Sequence, residues 1–316
     1  MMIIITVDVE GTHSQNPVDL LINGKINSEE FGISKIMDLC DYFQIKASFF
    51  IDVYEYSLHG CSVMKEVVEK ITKRSHDIQL HTHPAWPIDS RDDHKIQEWK
   101  RNNCPFDPER PWMYQYDLNE QVEILNKGKE LLERWINTEI IANRAGGYGA
   151  NKTTLAAAKL TGLKMDFSAF RRHSNCRLKA SANTITTIDG IVEVPTTGFY
   201  RARFLRFPKI PFKRRFVKTD IDWAFLEELK FYYEEGERHN LKFMVLFMHS
   251  YSFVKMSTNF EFFEPDYNEI RKFEKFIEWA LYKKASFVTV NEFWNSYNSC
   301  PNTFQTRDYI PTYSKA

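Results

Sequence analysis

Cysteine is scarce in this sequence and is never paired. The five residues Cys40, Cys61, Cys104, Cys176 and Cys300 are odd in number, scattered and free of any CxxC spacing, which argues against a disulfide framework and against a thiolate zinc site. A reducing compartment fits that usage. An excess of either charge is also missing. The 42 lysines and arginines balance 42 aspartates and glutamates, so no global field draws nucleic acid or an acidic membrane, and any charge preference must be local. No nucleic-acid partner is expected. Long apolar runs are absent too, since no stretch approaches the roughly 20 residues that span a bilayer. The opening MMIIITVDVEG is apolar for a few residues before an acid arrives, and it has no basic leader or small-residue cleavage site. It reads as a buried first strand of a cytoplasmic protein with no transmembrane segment.

What is present is alternation. Strand-like runs (IIITVDV, KASFFIDV, HDIQLHTH, EIIANRA, LKMDFS, IVEVP, LKFMVLFMH and ASFVTV) are separated by helix-like stretches, the pattern of an α/β domain with a mainly parallel sheet. The clearest helix opens at Asp117, where DLNE places Glu120 three residues on as a capping box. A second follows Asn151 and stops at Gly162, and a third covers about 222–238. Some eight strands with helices between them favour a barrel of βα units over an open sheet. Residues 1–300 read as one catalytic domain and 301–316 as a C-terminal tail.

Two stretches break the alternation. Residues 84–116 form a long insertion rich in Pro, Trp and charge, and such loops in compact domains are usually functional or disordered. Its aromatic content favours an ordered lid. Residues 201–218 (RARFLRFPKIPFKRRFVK) are strongly basic with interleaved aromatics. Two readings stand: a solvated loop whose arginines pair with nearby acids, or a site for phosphate or an anionic glycan.

The chemistry-bearing residues gather at strand ends. In a strand, residues two apart share a face, so Gln79, His81 and His83 of IQLHTHP point one way and Ile78, Leu80 and Thr82 the other. Two imidazoles so placed can converge on one cation. The first strand repeats the pattern with acids, because Thr6, Asp8 and Glu10 lie opposite Ile5, Val7 and Val9. Two carboxylates at the end of a buried strand are costly unless a cation or donors meet them. In a parallel βα architecture these ends open onto one rim. Taken alone, HxH is more often structural than metal-binding and DVE is ambiguous; their joint occurrence shifts the balance. NRAGGYG (143–149) then places Arg144 at a strand end, followed by Gly146 and Gly147, which permit close backbone approach. Asp166 in LKMDFS and His249 in VLFMHSYSF end two further strands.

This ordered set (TVDVEG, ASFF, HDIQLH, RAGGYG, DFS and LFMHS) resembles the motifs of the polysaccharide deacetylases, the NodB-like carbohydrate esterase family 4, across almost the whole chain. The resemblance implies a distorted (β/α) barrel of seven or eight strands and metal-dependent hydrolysis of an N-acetyl or O-acetyl group on a sugar. By resemblance Asp8 is the catalytic base, Glu10 the acidic metal ligand and His81 the first metal histidine. Arg144 orients the base, Asp166 supports the polar network, His249 is the general acid, and Tyr148 with Gly147 offers a backbone donor to the oxyanion. Two departures stand out: Val9 separates the two acids, and the position of the family's second metal histidine, four residues after His81, is Ala85. His83 is expected to replace it.

The expected cofactor is one divalent ion, Zn2+ first, and the expected partner a carbohydrate substrate, free or linked to a nucleotide or lipid. Trp86, with Trp99, Trp112, Tyr114 and Tyr116, suits sugar stacking or simple packing. The favoured function is sugar de-N-acetylation in cell-surface polysaccharide or lipopolysaccharide biosynthesis. The alternatives are an amidohydrolase-like metal enzyme acting on another C–N bond, and a catalytically silent carbohydrate-binding protein on the same scaffold.

Overall fold

A computed structural model describes residues 1–11, 17–84, 107, 109–179, 181–204, 211–257 and 262–314. The strands that build the site are β1 (Met2–Val9), β2 (Ser48–Asp52), β3 (Asp77–Thr82), β4 (Ala142–Ala145), β5 (Met165–Asp166), β6 (Thr186–Ile188), β7 (Ile191–Glu193), β8 (Gly198–Phe204), β9 (Pro211–Lys218) and β10 (Phe243–His249). Eight of them form one curled sheet in the order β10-β1-β2-β3-β4-β5-β7-β6. Every neighbouring pair is parallel except β6 with β7. The expected distorted barrel is present as a half-barrel, with the outer edge of β10 taking a bridge from Asp220 to Phe247.

The period of two in the sequence decides which side of the sheet each residue serves. Ile5, Val7 and Val9 join an outer core shared with the helices, whereas Ile4 joins an inner cluster with Phe50, Met165, Phe167, Phe243 and Val245. The helices around the outside are α1 (Ile33–Tyr42), α2 (Cys61–Thr72), α3 (Leu118–Ile136), α4 (Lys152–Leu160), α5 (Leu226–Arg238), α6 (Tyr267–Tyr282) and α7 (Val290–Ser299). The capping box of α3 forms as the sequence predicts, Asp117 accepting from the Glu120 N–H at 2.9 Å. Asn151 caps α4 in the same way.

Helix α7 blocks the N-terminal ends of the strands. Val290 and Phe293 enter the inner cluster beside Phe304, and the Val290 N–H donates to Ser48 Oγ at 2.8 Å and to Asp77 Oδ2 at 3.1 Å. With that end filled, the polar residues at the C-terminal ends are left to line an opening.

Four elements differ from the sequence expectation. ASFVTV pairs only through Ser286 and Phe287, because Thr289 becomes the N-cap of α7. The third helix starts at Leu226, since Thr219 and Ile221 hydrogen-bond to Phe247 on β10. The basic segment 201–218 is largely two antiparallel strands, β8 and β9, and residues 205–210 lie outside the described residues. Residues after 300 are no free tail: Phe304 is buried, and Thr312–Tyr313 pairs with β8.

Candidate active site

Glu10 follows β1 by one residue, and His81 and His83 lie at and just beyond the end of β3. Their side chains converge. Glu10 Oε2 is 2.9 Å from His81 Nε2 and 2.7 Å from His83 Nδ1, and all three residues are buried. The three ligand atoms lie within 4.8 Å of one another. One carboxylate and two imidazoles aimed at one point could hold a divalent cation. Burial pushes the Glu10 carboxyl up, but the attraction and hydrogen bonds of His83 and His81 hold it well below the usual range. For His81, burial lowers the pKa, and Asp8, Glu10 and Asp52 outweigh it, pushing the value up to about 9. An imidazole that gathers this much negative charge is placed to exchange its proton for a metal ion.

Asp8 ends β1 on the same face. Arg144 Nη1 donates to Asp8 Oδ1 at 2.6 Å and Nη2 donates to Thr6 Oγ1 at 3.0 Å. Arg144 is 1% exposed, with the Phe50 and Phe247 rings 4.4 and 4.7 Å from its guanidinium carbon. A buried guanidinium with this many partners is fixed in place, and it fixes Asp8.

His249 ends β10 in register with Asp8. Its Nδ1 is 3.4 Å from Asp222 Oδ2, which also accepts from Ser252 Oγ at 2.9 Å. Its Nε2 faces Glu10 Oε1 at 3.8 Å. Tyr251 stacks on the ring at 4.9 Å. Burial lowers the His249 pKa, but the Asp222 hydrogen bond and the Glu10 charge raise it above the ordinary value. Sequence reasoning missed Asp222, which lies in the turn after β9.

The RAGGYG glycines make room for protein. A Cβ on Gly146 would meet the His83 ring at 2.1 Å, and one on Gly147 would meet Trp112 at 2.4 Å. Gly147 and Tyr148 both take left-handed backbone angles, φ 53° and 60°, which successive residues use to turn N–H groups toward an anion. The Tyr148 hydroxyl accepts from Lys218 Nζ at 2.8 Å. Trp112, from the part of the 84–116 insertion that is described, stacks over His83 at 6.5 Å.

These residues line one cleft of about 480 Å³, including Asp8, Glu10, His81, His83, Arg144 and His249. Asp166 stays outside it. Met165 and Phe167 fill the inner cluster, so Asp166 faces the other way, accepting from Asn143 Nδ2 at 3.2 Å and from the Ser168 N–H at 3.0 Å. Trp86 and Trp99 lie outside the described residues. No helix among the described residues is long and apolar enough to cross a membrane.

No protein-family model matches the sequence, and no curated protein matches it. Among solved structures the chain is similar to a candidate polysaccharide deacetylase from Mycobacterium smegmatis, at 14% identity and a TM-score of 0.56, over 99% of this chain and 94% of that one. A family 4 carbohydrate esterase from Streptomyces lividans in complex with acetate matches at 10% identity and a TM-score of 0.46, over 98% and 97%. A CE4 family pseudoenzyme from Bacillus anthracis matches at 10% identity and a TM-score of 0.47, over 92% of this chain and 64% of that one. At these identities the likeness is one of fold, and the Mycobacterium structure carries it: this chain has the polysaccharide deacetylase fold.

Proposed function

We propose that this chain is a metal-dependent hydrolase that removes the acetyl group from the nitrogen of an acetylated sugar. The observation that carries the reading is the convergence of Glu10, His81 and His83 in the cleft that also holds the Asp8–Arg144 pair and His249. Glu10, His81 and His83 would hold one divalent cation, and the mixed carboxylate and imidazole donor set suits Zn2+. Bound there, such an ion would polarise the acetyl carbonyl and acidify a water.

The remaining work falls to side chains. Arg144 takes Oδ1 of Asp8, so Oδ2 is the oxygen that receives the proton of the attacking water. The backbone N–H of Tyr148, turned by the left-handed pair at 147 and 148, supports the oxyanion. His249 points Nδ1 at Asp222, which leaves Nε2 to protonate the departing amine. An amide needs that acid, because an unprotonated amine leaves poorly.

Place and pathway are part of this proposal. The cysteines at 40, 61, 176 and 300 are free, in keeping with a reducing compartment and with a cytoplasmic step in building a cell-surface polysaccharide or lipopolysaccharide. The test is acetate release from N-acetylglucosamine oligomers by the wild type and by His249→Ala. The variant is expected to lose turnover and keep its metal. Loss of both together would remove His249 from the role of acid.

A further inference from the structure

One wall of the cleft is the ribbon of β8 and β9. Arg201 on β8 and Arg215 on β9 are direct register partners, and both line the cleft. Like charges placed opposite each other on a ribbon repel, and among the described residues a carboxylate offsets Arg201 alone of the two. Arg201 donates through Nε and Nη2 to the two carboxylate oxygens of Glu228 at 2.5 Å each, and Glu228 is 1% exposed. Further along the wall Lys218 is offset by Asp220 at 2.6 Å, while His173 is pushed below its ordinary pKa by burial and by Lys218, toward the neutral form. Among the described residues, no carboxylate lies within ion-pair distance of Arg215.

Arg215 has a neighbour of a different kind. Its guanidinium carbon is 5.9 Å from the centre of the Trp223 ring, and that indole is 58% exposed while lining the same cleft. The corner therefore joins a flat apolar face, which suits a sugar ring, to a fork of donors that no carboxylate among the described residues compensates, which suits a phosphate or carboxylate. A neutral sugar would use the indole and leave the guanidinium idle.

We propose that the substrate is an acetylated sugar carrying an anionic group, and that Arg215 reads that group while Trp223 stacks on the sugar ring. This rests on the deacetylase reading for the word acetylated, and on the ribbon alone for the anion. Recognition of the anion and cleavage of the acetyl group then fall to different walls of one cleft.

The experiment is a calorimetric titration of the metal-loaded full chain with N-acetylglucosamine, N-acetylglucosamine 1-phosphate and N-acetylmuramic acid, repeated with Arg215→Gln and Arg215→Lys. At least one anionic sugar is expected to bind roughly tenfold tighter than the neutral one. The advantage should shrink to within about twofold in Arg215→Gln, survive in part in Arg215→Lys and weaken as salt rises. The phosphate and carboxylate arms decide which anion is read. Equal affinity for all three sugars, an advantage that persists in Arg215→Gln, or no binding of either anionic sugar overturns the proposal. Acetate release from the same sugars is assayed separately, so an Arg215-dependent preference with no acetate released would retire the deacetylase reading and leave this one standing.

Discussion

Nδ1 of His83 lies 2.7 Å from Oε2 of Glu10, although the two residues are 73 positions apart and β2 separates their strands. The curl of the sheet makes the contact. It turns the C-terminal ends of β1 and β3 toward each other, and the period of two then puts both side chains on the inner face. His83 lies just past the end of β3, where Gly146 leaves room for its ring.

That packing makes Gly146 a test of the site that touches no ligand. In Gly146→Ala the new methyl would overlap the His83 ring, whose nearest atom is 2.1 Å from the added Cβ. Overpacking of this kind costs ~1–3 kcal/mol, small enough for the fold to persist, but the ring must move off Glu10. Metal affinity is expected to fall roughly 10- to 100-fold, the range seen when groups that orient ligands are disturbed. Zinc titration with circular dichroism as the check on folding reads both effects; unchanged affinity in a folded variant would take His83 out of the ligand set.

The pH profile should report on Asp222. Burial alone would depress His249, and the Asp222 hydrogen bond together with the Glu10 charge raises it above its ordinary value. The general acid must be protonated, so turnover is retained below the folded pKa and lost as pH rises through it. Asp222→Asn removes part of the upward push and is expected to move the alkaline loss of kcat/KM to lower pH while metal content stays the same. An unshifted alkaline limb would assign the proton to another group.

How much of this could be read from the sequence follows from periodicity. The acids of β1, the histidines of β3, Arg144 and His249 each end an alternating strand, so residue type and parity placed them on the rim together. Asp166 shows the limit. It also ends a strand, but Met165 and Phe167 beside it are the apolar residues that fill the interior, and their parity sends the carboxyl to the other face. Asp222 had no such signal, because it follows β9 in a turn that continues without a break into a helix-like pattern. The ribbon of β8 and β9 was legible only in part: RARF alternates, but FKRRFVK breaks the period with three successive basic residues, and the charge density resembled a solvated loop. The β6–β7 hairpin carried its marker too, an Asp189–Gly190 turn with φ of 52° and 92°.

A stability prediction lies away from the cleft. His76 is buried, its side chain 0% exposed, with Nδ1 accepting from the Ala47 N–H at 3.2 Å. Burial, with the positive charge of Lys46, pushes its pKa down to about 4. The folded state therefore favours the neutral ring. Its contribution is fully present above the unfolded pKa of about 6.5 and is lost as pH falls from there through about 4, by roughly 3 kcal/mol at most. His76→Asn keeps an acceptor without the titration, so the gap in urea midpoint between wild type and variant should narrow from pH 7 to pH 4.5. A constant gap would show that His76 does not titrate on unfolding.

On the proposed function, one ion held by Glu10, His81 and His83 makes this chain a deacetylase. The most direct measurement strips the protein with chelator, reloads it stepwise with zinc and follows acetate release from N-acetylglucosamine oligomers, for the wild type, for His83→Ala and for His239→Ala, whose histidine stacks on Tyr309 outside the cleft. Acetate release should return in step with occupancy up to about one ion per chain in the wild type and in His239→Ala, and stay absent in His83→Ala. Full activity in the stripped protein, or a zinc-loaded His83→Ala as active as the wild type, would rule out a catalytic ion held by these three residues.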